Sequence, residues 1–319
     1  MKLTFEQIKS VTVGSVETVL VDGGIHFAKC TSKQIAAWRE KSATIGRNSA
    51  ATTGVRLDFH TDSQSVAFRA LGGRKYEILV DGLMFKQVTP EAGEVVGFDL
   101  SDPLGHKKGE YRVTVVLPSH DEPAVIEYVE LDDGSYVKPH AFDRRLLFIG
   151  DSITQGWAST HDSYSYAYRI SDFFNAESVI QGTGGAYFNE DSFDHIDFDP
   201  DVVLVAYGTN DFSHYKTYEE LRTHADVHLA LIAEEYKGKK LFYISPIWRE
   251  QRDGKSMGTF EECRRILIEA AQKNGFEHID GLTLVPPRPE LFRDEFLHPN
   301  DNGFSFYAEN LAKQLLGKI

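Results

Sequence analysis

From residue 145 onward the chain alternates uninterrupted apolar runs with stretches of helical length, and few architectures accept that pattern. The runs fall near 145–149, 177–181, 202–207 and 240–245, with a weaker one near 277–280, and the helical stretches near 163–174, 216–236, 258–274 and 302–317. A strand that is apolar on both sides must be covered on both sides, and strands joined through helices run parallel. The pattern therefore predicts an α/β domain over 144–319 with a parallel sheet between two helical layers.

The first 140 residues read differently. Apolar residues alternate at Val55, Leu57 and Phe59, at Val66 and Phe68, at Tyr76, Ile78 and Val80, at Val113 and Val115, and at Val125, Val129 and Leu131. That is the period of half-buried antiparallel strands, and Val80-Asp81-Gly82-Leu83 is a hairpin signal between two of them. A jelly-roll-like β-sandwich over 1–140 is expected, with one helix near Lys33 to Lys41. The boundary falls in the polar stretch from Asp133 to Asp143, which contains Gly134, Pro139 and His140. With 319 residues and 41% apolar content there is material for both cores.

Four motifs in the second part sit where such a sheet would present chemistry. The run Leu146 to Ile149 opens into Gly150-Asp151-Ser152-Ile153-Thr154-Gln155-Gly156, which lifts a serine hydroxyl to the carboxyl edge. An Asp-Ser pair could merely cap a helix. Val179 to Gln181 runs into Gly182-Thr183-Gly184-Gly185, whose spacing is not that of a dinucleotide or P-loop motif. Val202 to Tyr207 delivers Gly208-Thr209-Asn210-Asp211 to the same edge, and His298-Pro299-Asn300 precedes the last helix. Serine is a weak nucleophile that needs a base in hydrogen-bond reach, and a histidine suits that task. The Ser152 and Gly185 N–H groups and the Asn210 amide are candidate donors to a tetrahedral oxyanion.

Ser152, the glycine turn at 182–185, Asn210 and His298 resemble, in that order, the signature blocks of the SGNH (GDSL-type) hydrolase superfamily. The resemblance covers about 144–319 and implies a serine esterase or acylhydrolase on a flavodoxin-like three-layer fold. Ser152 would be the nucleophile, Ser152, Gly185 and Asn210 the oxyanion hole, and His298 the base. Relatives usually carry aspartate three residues before the histidine. Here that position holds Glu295, and the aspartate is Asp294. Glu295 is the expected third member because it matches by position and has the longer reach, with Asp294, or a Ser-His dyad that uses neither carboxylate, as the alternatives. An N-terminal sandwich joined to such a domain is similar to the architecture of family-two carbohydrate esterases, which implies an acetylated or short-acylated carbohydrate or other small ester as substrate.

Trp157, Tyr187 and Trp248 lie near the motifs and could stack on a sugar ring or simply pack. Arg249 and Arg252 fall in the polar loop 249–258, expected to be solvated. A short-chain lipase or thioesterase is the alternative function, opposed by the polar loops at 156–164 and 249–258. A binding protein with an inactive site is opposed by the complete set of motifs. The net charge of −14 gives no basic footprint for nucleic acid or an anionic membrane. Cys30 and Cys263 stand in no metal-ligand or disulfide spacing, so neither metal nor other cofactor is expected. No apolar run is long enough to span a membrane and the N-terminus has no signal-peptide core, so a cytoplasmic location is expected. A homo-oligomer is compatible with the sequence.

Overall fold

The computed structural model describes residues 1–120, 122–253 and 255–319. The chain divides into two compact units, Met1–Cys30 with Ala50–Phe142, and Thr31–Ser49 with Asp143–Ile319.

In the first unit two antiparallel sheets share one core. One sheet orders its strands Thr12–Val13, Arg56–Thr61, Tyr111–Val116, Tyr76–Val80 and Leu83–Val88, with Lys138–Pro139 also against Arg56–Thr61. The other runs Glu17–Val21, Gly24–Ala28, Val125–Leu131, Ser65–Gly72 and Val95–Asp99. Most of the alternating residues read from the sequence point inward: Leu57, Phe59, Ile78, Val113 and Val115 from one sheet meet Val66, Phe68, Val129 and Leu131 from the other, while at the start of Val125–Leu131 it is Ile126 and not the expected Val125 that enters the core, where the strand's pairing shifts register. Val80 pairs with Leu83 across Asp81 and Gly82, whose φ values of +52° and +79° are those of a type I′ hairpin turn. Glu17–Val21 escaped the sequence reading because nearly all of it is exposed and it carries no alternation.

The second unit holds a five-stranded parallel sheet in the order Ala176–Gly182, Arg144–Gly150, Val202–Ala206, Lys240–Ile244 and Glu277–Ile279. Helices Tyr166–Phe173, Tyr218–Glu235, Phe260–Lys273 and Asp301–Leu315 occupy the four expected stretches. Ile170, Phe304, Tyr307 and Leu311 of two of them close over Leu146, Phe148 and Leu204 of the sheet. This unit's first strand in chain order, Arg144–Gly150, lies second in the sheet, so the chain leaves it first to one side and then to the other. In open sheets of this kind the carboxyl ends at such a reversal are where a ligand crevice forms. Gly150 stands opposite both Gly182 and Ala206, so the three strands around that crevice end level.

The helix expected near 33–41 exists as Ser32–Lys41, started by a capping box in which Thr31 and Gln34 bond each other's backbone N–H. It groups with the second unit and not with the sandwich, as does most of the following helix, Ala43–Ala50. The reason is a set of specific contacts. Thr31 Oγ1 donates to Asp194 at 2.7 Å, the Gln34 and Gln181 amides bond reciprocally at 3.2 and 3.0 Å, and Trp38 meets the Tyr187 ring edge-on at 5.5 Å.

Candidate active site

Ser152 begins a single helical turn, Ser152–Gln155, one residue after the strand Arg144–Gly150. Asp151 caps that turn, its Oδ1 accepting from the Ile153 N–H at 2.9 Å, and Gly156 ends it in the left-handed conformation at φ +82°. The capping role is therefore real, and it coexists with a Ser152 hydroxyl that is itself hydrogen-bonded to a distant histidine. Ser152 Oγ lies 2.9 Å from His298 Nε2.

His298 comes from the loop before helix Asp301–Leu315, and its other nitrogen, Nδ1, lies 2.7 Å from Asp294 Oδ2. The remaining oxygen of Asp294 accepts from three successive backbone N–H groups, those of Phe296, Leu297 and His298, at 3.2, 2.8 and 3.0 Å. Partial burial works to raise the Asp294 carboxyl, but the bond to His298 and the three N–H groups outweigh it and hold it below the usual carboxylate range. Glu295, expected here by position, is not the partner. It is exposed, sits at φ +65°, and its carboxylate bonds no described residue. The loop folds back around the Asp294 carboxylate, with Arg293 N–H donating to the His298 carbonyl at 2.8 Å and Phe292 bridging Pro299. That fold turns the fourth residue before the histidine inward and the third outward.

After the neighbouring strand Ala176–Gly182, the turn Thr183 to Ala186 carries Gly185 at φ +87°, a conformation that favours glycine. Gly185 is exposed, and among the described residues none accepts from its N–H. Asn210 follows the third strand, and its Nδ2 donates to the Ala186 carbonyl at 2.9 Å. An amide nitrogen has two N–H donors, so that bond orients the other. The arrangement joins a hydroxyl, an imidazole in contact with it and a carboxylate in contact with the imidazole, with N–H donors on the loops after the two neighbouring strands. It is suited to taking a proton from serine and to holding negative charge on an acyl oxygen.

Of Trp157, Tyr187 and Trp248, Trp157 is the most exposed. It is 47% exposed, and its ring lies 6.5 Å from the His298 imidazole. The loop after it is clasped to the last helix: the Thr160 N–H and hydroxyl donate to the two Asp301 oxygens at 2.8 and 2.5 Å. Tyr187 is buried and stacks on His214 at 3.7 Å, and Trp248 is half-buried against Phe292 at 5.1 Å. The expectation that loop 249–258 is solvated fails at its start, and Gly254 lies outside the described residues. Arg249 is buried, donating to the Thr209 carbonyl at 2.8 Å with Phe212 and Phe260 rings about its guanidinium. Arg252 is exposed and paired with Glu261 at 3.2 Å. Sequence reasoning also missed Gln155 and Asn48, which bond the glycine turn at Gly184. Gln155 follows Ser152 by three residues and could have been suspected. Asn48 carries no local signal.

Residues 148–305 match the model of the GDSL-like Lipase/Acylhydrolase family. No curated protein matches the chain. Among solved structures it is similar to the salicylyl-acyltransferase SsfX3 from a tetracycline biosynthetic pathway, at TM-score 0.81 and 19% identity over 96% of this chain and 94% of that one. It is also similar to a family two carbohydrate esterase from Cellvibrio japonicus, at 0.66 and 14% over 95% and 93%. A third likeness is to a family two carbohydrate esterase from Clostridium thermocellum in complex with cellohexaose, at 0.59 and 18% over 83% and 91%. At such identities these likenesses are of fold. Among the described residues no helix is long and apolar enough to cross a membrane.

Proposed function

The chain carries an acylhydrolase domain of the GDSL-like lipase family, and from that premise we propose that it removes acetyl or other short acyl groups from a carbohydrate through an acyl-enzyme. The observation that carries this reading is the continuous line from Ser152 Oγ to His298 Nε2 at 2.9 Å and from His298 Nδ1 to Asp294 at 2.7 Å. In the first half-reaction Ser152 Oγ attacks the acyl carbon and its proton passes to His298 Nε2. Asp294 holds the ring's tautomer and stabilises its cation. The carbonyl oxygen becomes an oxyanion that the Ser152 and Gly185 N–H groups and the free N–H of the Asn210 amide receive. Each such donor is worth on the order of 3 kcal/mol of barrier. Collapse breaks the bond to the alcohol oxygen, which leaves with the proton from His298. In the second half-reaction water attacks the acyl-serine, giving its proton to His298, and collapse releases the acid and returns that proton to Ser152.

A sugar as the alcohol is supported by Trp157, half-exposed beside His298, and by the fold likeness to carbohydrate esterases. The test is hydrolysis of p-nitrophenyl acetate, butyrate and octanoate beside acetylated oligosaccharides, with Ser152→Ala as control. Acetate release from the oligosaccharides, a steep fall from acetyl to octanoyl, and less than a few per cent of wild-type kcat in Ser152→Ala are expected. Faster turnover of octanoate would make the enzyme lipase-like instead.

A further inference from the structure

The turn that carries Gly185 is held by a residue from the distant segment 31–49. Thr183, Gly184, Gly185 and Ala186 close through the Ala186 N–H, which donates to the Thr183 carbonyl at 3.0 Å. Gly185, third in the turn, lies at φ +87° while Gly184 is not left-handed, the pattern of a type II turn. Types I and II differ in the two torsions that flank the central peptide, so one becomes the other by a half-turn of that peptide. Here the central peptide joins Gly184 to Gly185, and its N–H is the one assigned to the oxyanion. Glycine at both central positions leaves no side chain to oppose the half-turn. Such a flip would withdraw the N–H and offer a carbonyl oxygen in its place.

Two side-chain amides bracket this peptide. Gln155 Oε1 accepts from the Gly184 N–H at 2.7 Å and so fixes the peptide before it. Asn48 Nδ2 donates to the Gly184 carbonyl at 2.9 Å, which belongs to the central peptide itself. A Cβ on Gly184 would stand 2.7 Å from Asn48 Nδ2 and 2.8 Å from Gln155 Oε1, so only glycine lets both amides close. Ile45, on the same helical face as Asn48, would meet a Cβ on Gly185 at 3.0 Å. The helix Ala43–Ala50 thus lies directly against the two central glycines.

We infer that Asn48 is a positioning residue for acyl transfer. It keeps the Gly184 to Gly185 peptide in the orientation that presents the Gly185 N–H, and a bond to the carbonyl of an amide strengthens the N–H of that same amide as a donor. This rests on the catalytic reading of Ser152 and Gly185 above.

The experiment is steady-state hydrolysis of p-nitrophenyl acetate by the full chain and by Asn48→Asp, Asn48→Ala and Ser152→Ala. Inhibition by phenylboronic acid, which forms a tetrahedral adduct on serine, and the thermal unfolding midpoint are measured alongside. Asn48→Asp keeps the side-chain shape but turns an acceptor toward the carbonyl. It should lower kcat by about 10- to 100-fold, with KM within about threefold and boronate affinity falling in step. Asn48→Ala should lose about tenfold in kcat and decides the matter if Asn48→Asp does not fold. A folded Asn48 variant with kcat within twofold of wild type, or one that raises KM alone, overturns the inference while Ser152→Ala is inactive. An active Ser152→Ala overturns the catalytic reading itself, and the inference with it.

Discussion

Asp294 and Glu295 are neighbours in the chain and opposites in environment. One carboxylate is half-buried, bonded to His298 and to three backbone N–H groups, and the other is exposed at a left-handed position. Asp294→Asn should therefore lower kcat by a factor on the order of 10² to 10⁴, because an amide cannot stabilise the imidazole cation and can favour the wrong tautomer. Glu295→Gln should stay within about twofold. Measuring kcat of both on p-nitrophenyl acetate checks this, and the reverse ranking would return the role to Glu295. Ser152, Gly185, Asn210 and His298 were legible in the sequence because each stands at a strand end or just before a helix, where chain order maps directly onto the sheet edge. The carboxylate that bonds His298 was not, because spacing along a chain predicts reach only when the backbone between is regular. A single left-handed residue at Glu295 changes which side chain faces inward.

At the scale of elements, the loop after Ser152 and the helix after His298 form one assembly. Trp157 N–H donates to the Ser152 carbonyl at 2.9 Å, and the Thr160 to Asp301 clasp ties the loop's far end to the first residue of the last helix. Trp157 is thereby held beside His298 while remaining 47% exposed. Trp157→Ala should raise KM for an acetylated oligosaccharide several-fold more than for p-nitrophenyl acetate, since only the former brings a ring to stack. Equal changes would make the residue part of the packing. The helices and strands of this unit were legible from period and length. The partner of the segment 31–49 was not, since a helix pattern states that one face is covered and says nothing about what covers it.

For the molecule as a whole, the edge of the sheet carries a stability cost that depends on pH. Asp151 and Asp211 are both buried behind the site, and burial pushes each carboxyl up to about 7. For Asp151 the charge of Asp211 adds to the effect, while the Ile153 N–H and Arg249 act against it. In the unfolded chain an aspartate titrates near 3.9, so between about pH 4 and 7 the native state binds more protons than the unfolded one. Stability therefore falls as pH rises through that window, and the loss is complete above it. Asparagine caps a helix as well as aspartate does and has no charge to bury. Asp151→Asn should leave the thermal midpoint near its wild-type value at pH 4 to 5 and raise it at pH 8, narrowing the difference between the two. An undiminished difference would show that Asp151 is not a source of the pH dependence.

The bond between Asn48 and Gly184 spans 136 residues. A ribosome adds roughly 5–20 residues per second, so the helix with Asn48 emerges roughly 7–27 s before the turn it latches. During that interval Met1–Cys30 and the chain from Ala50 to Phe142 can assemble their sheets, and whatever they form must leave residues 31–49 unclaimed. The order of synthesis thus sets a folding condition on the sandwich that its own stability does not require: it has to close while keeping an inserted stretch free for a domain not yet made.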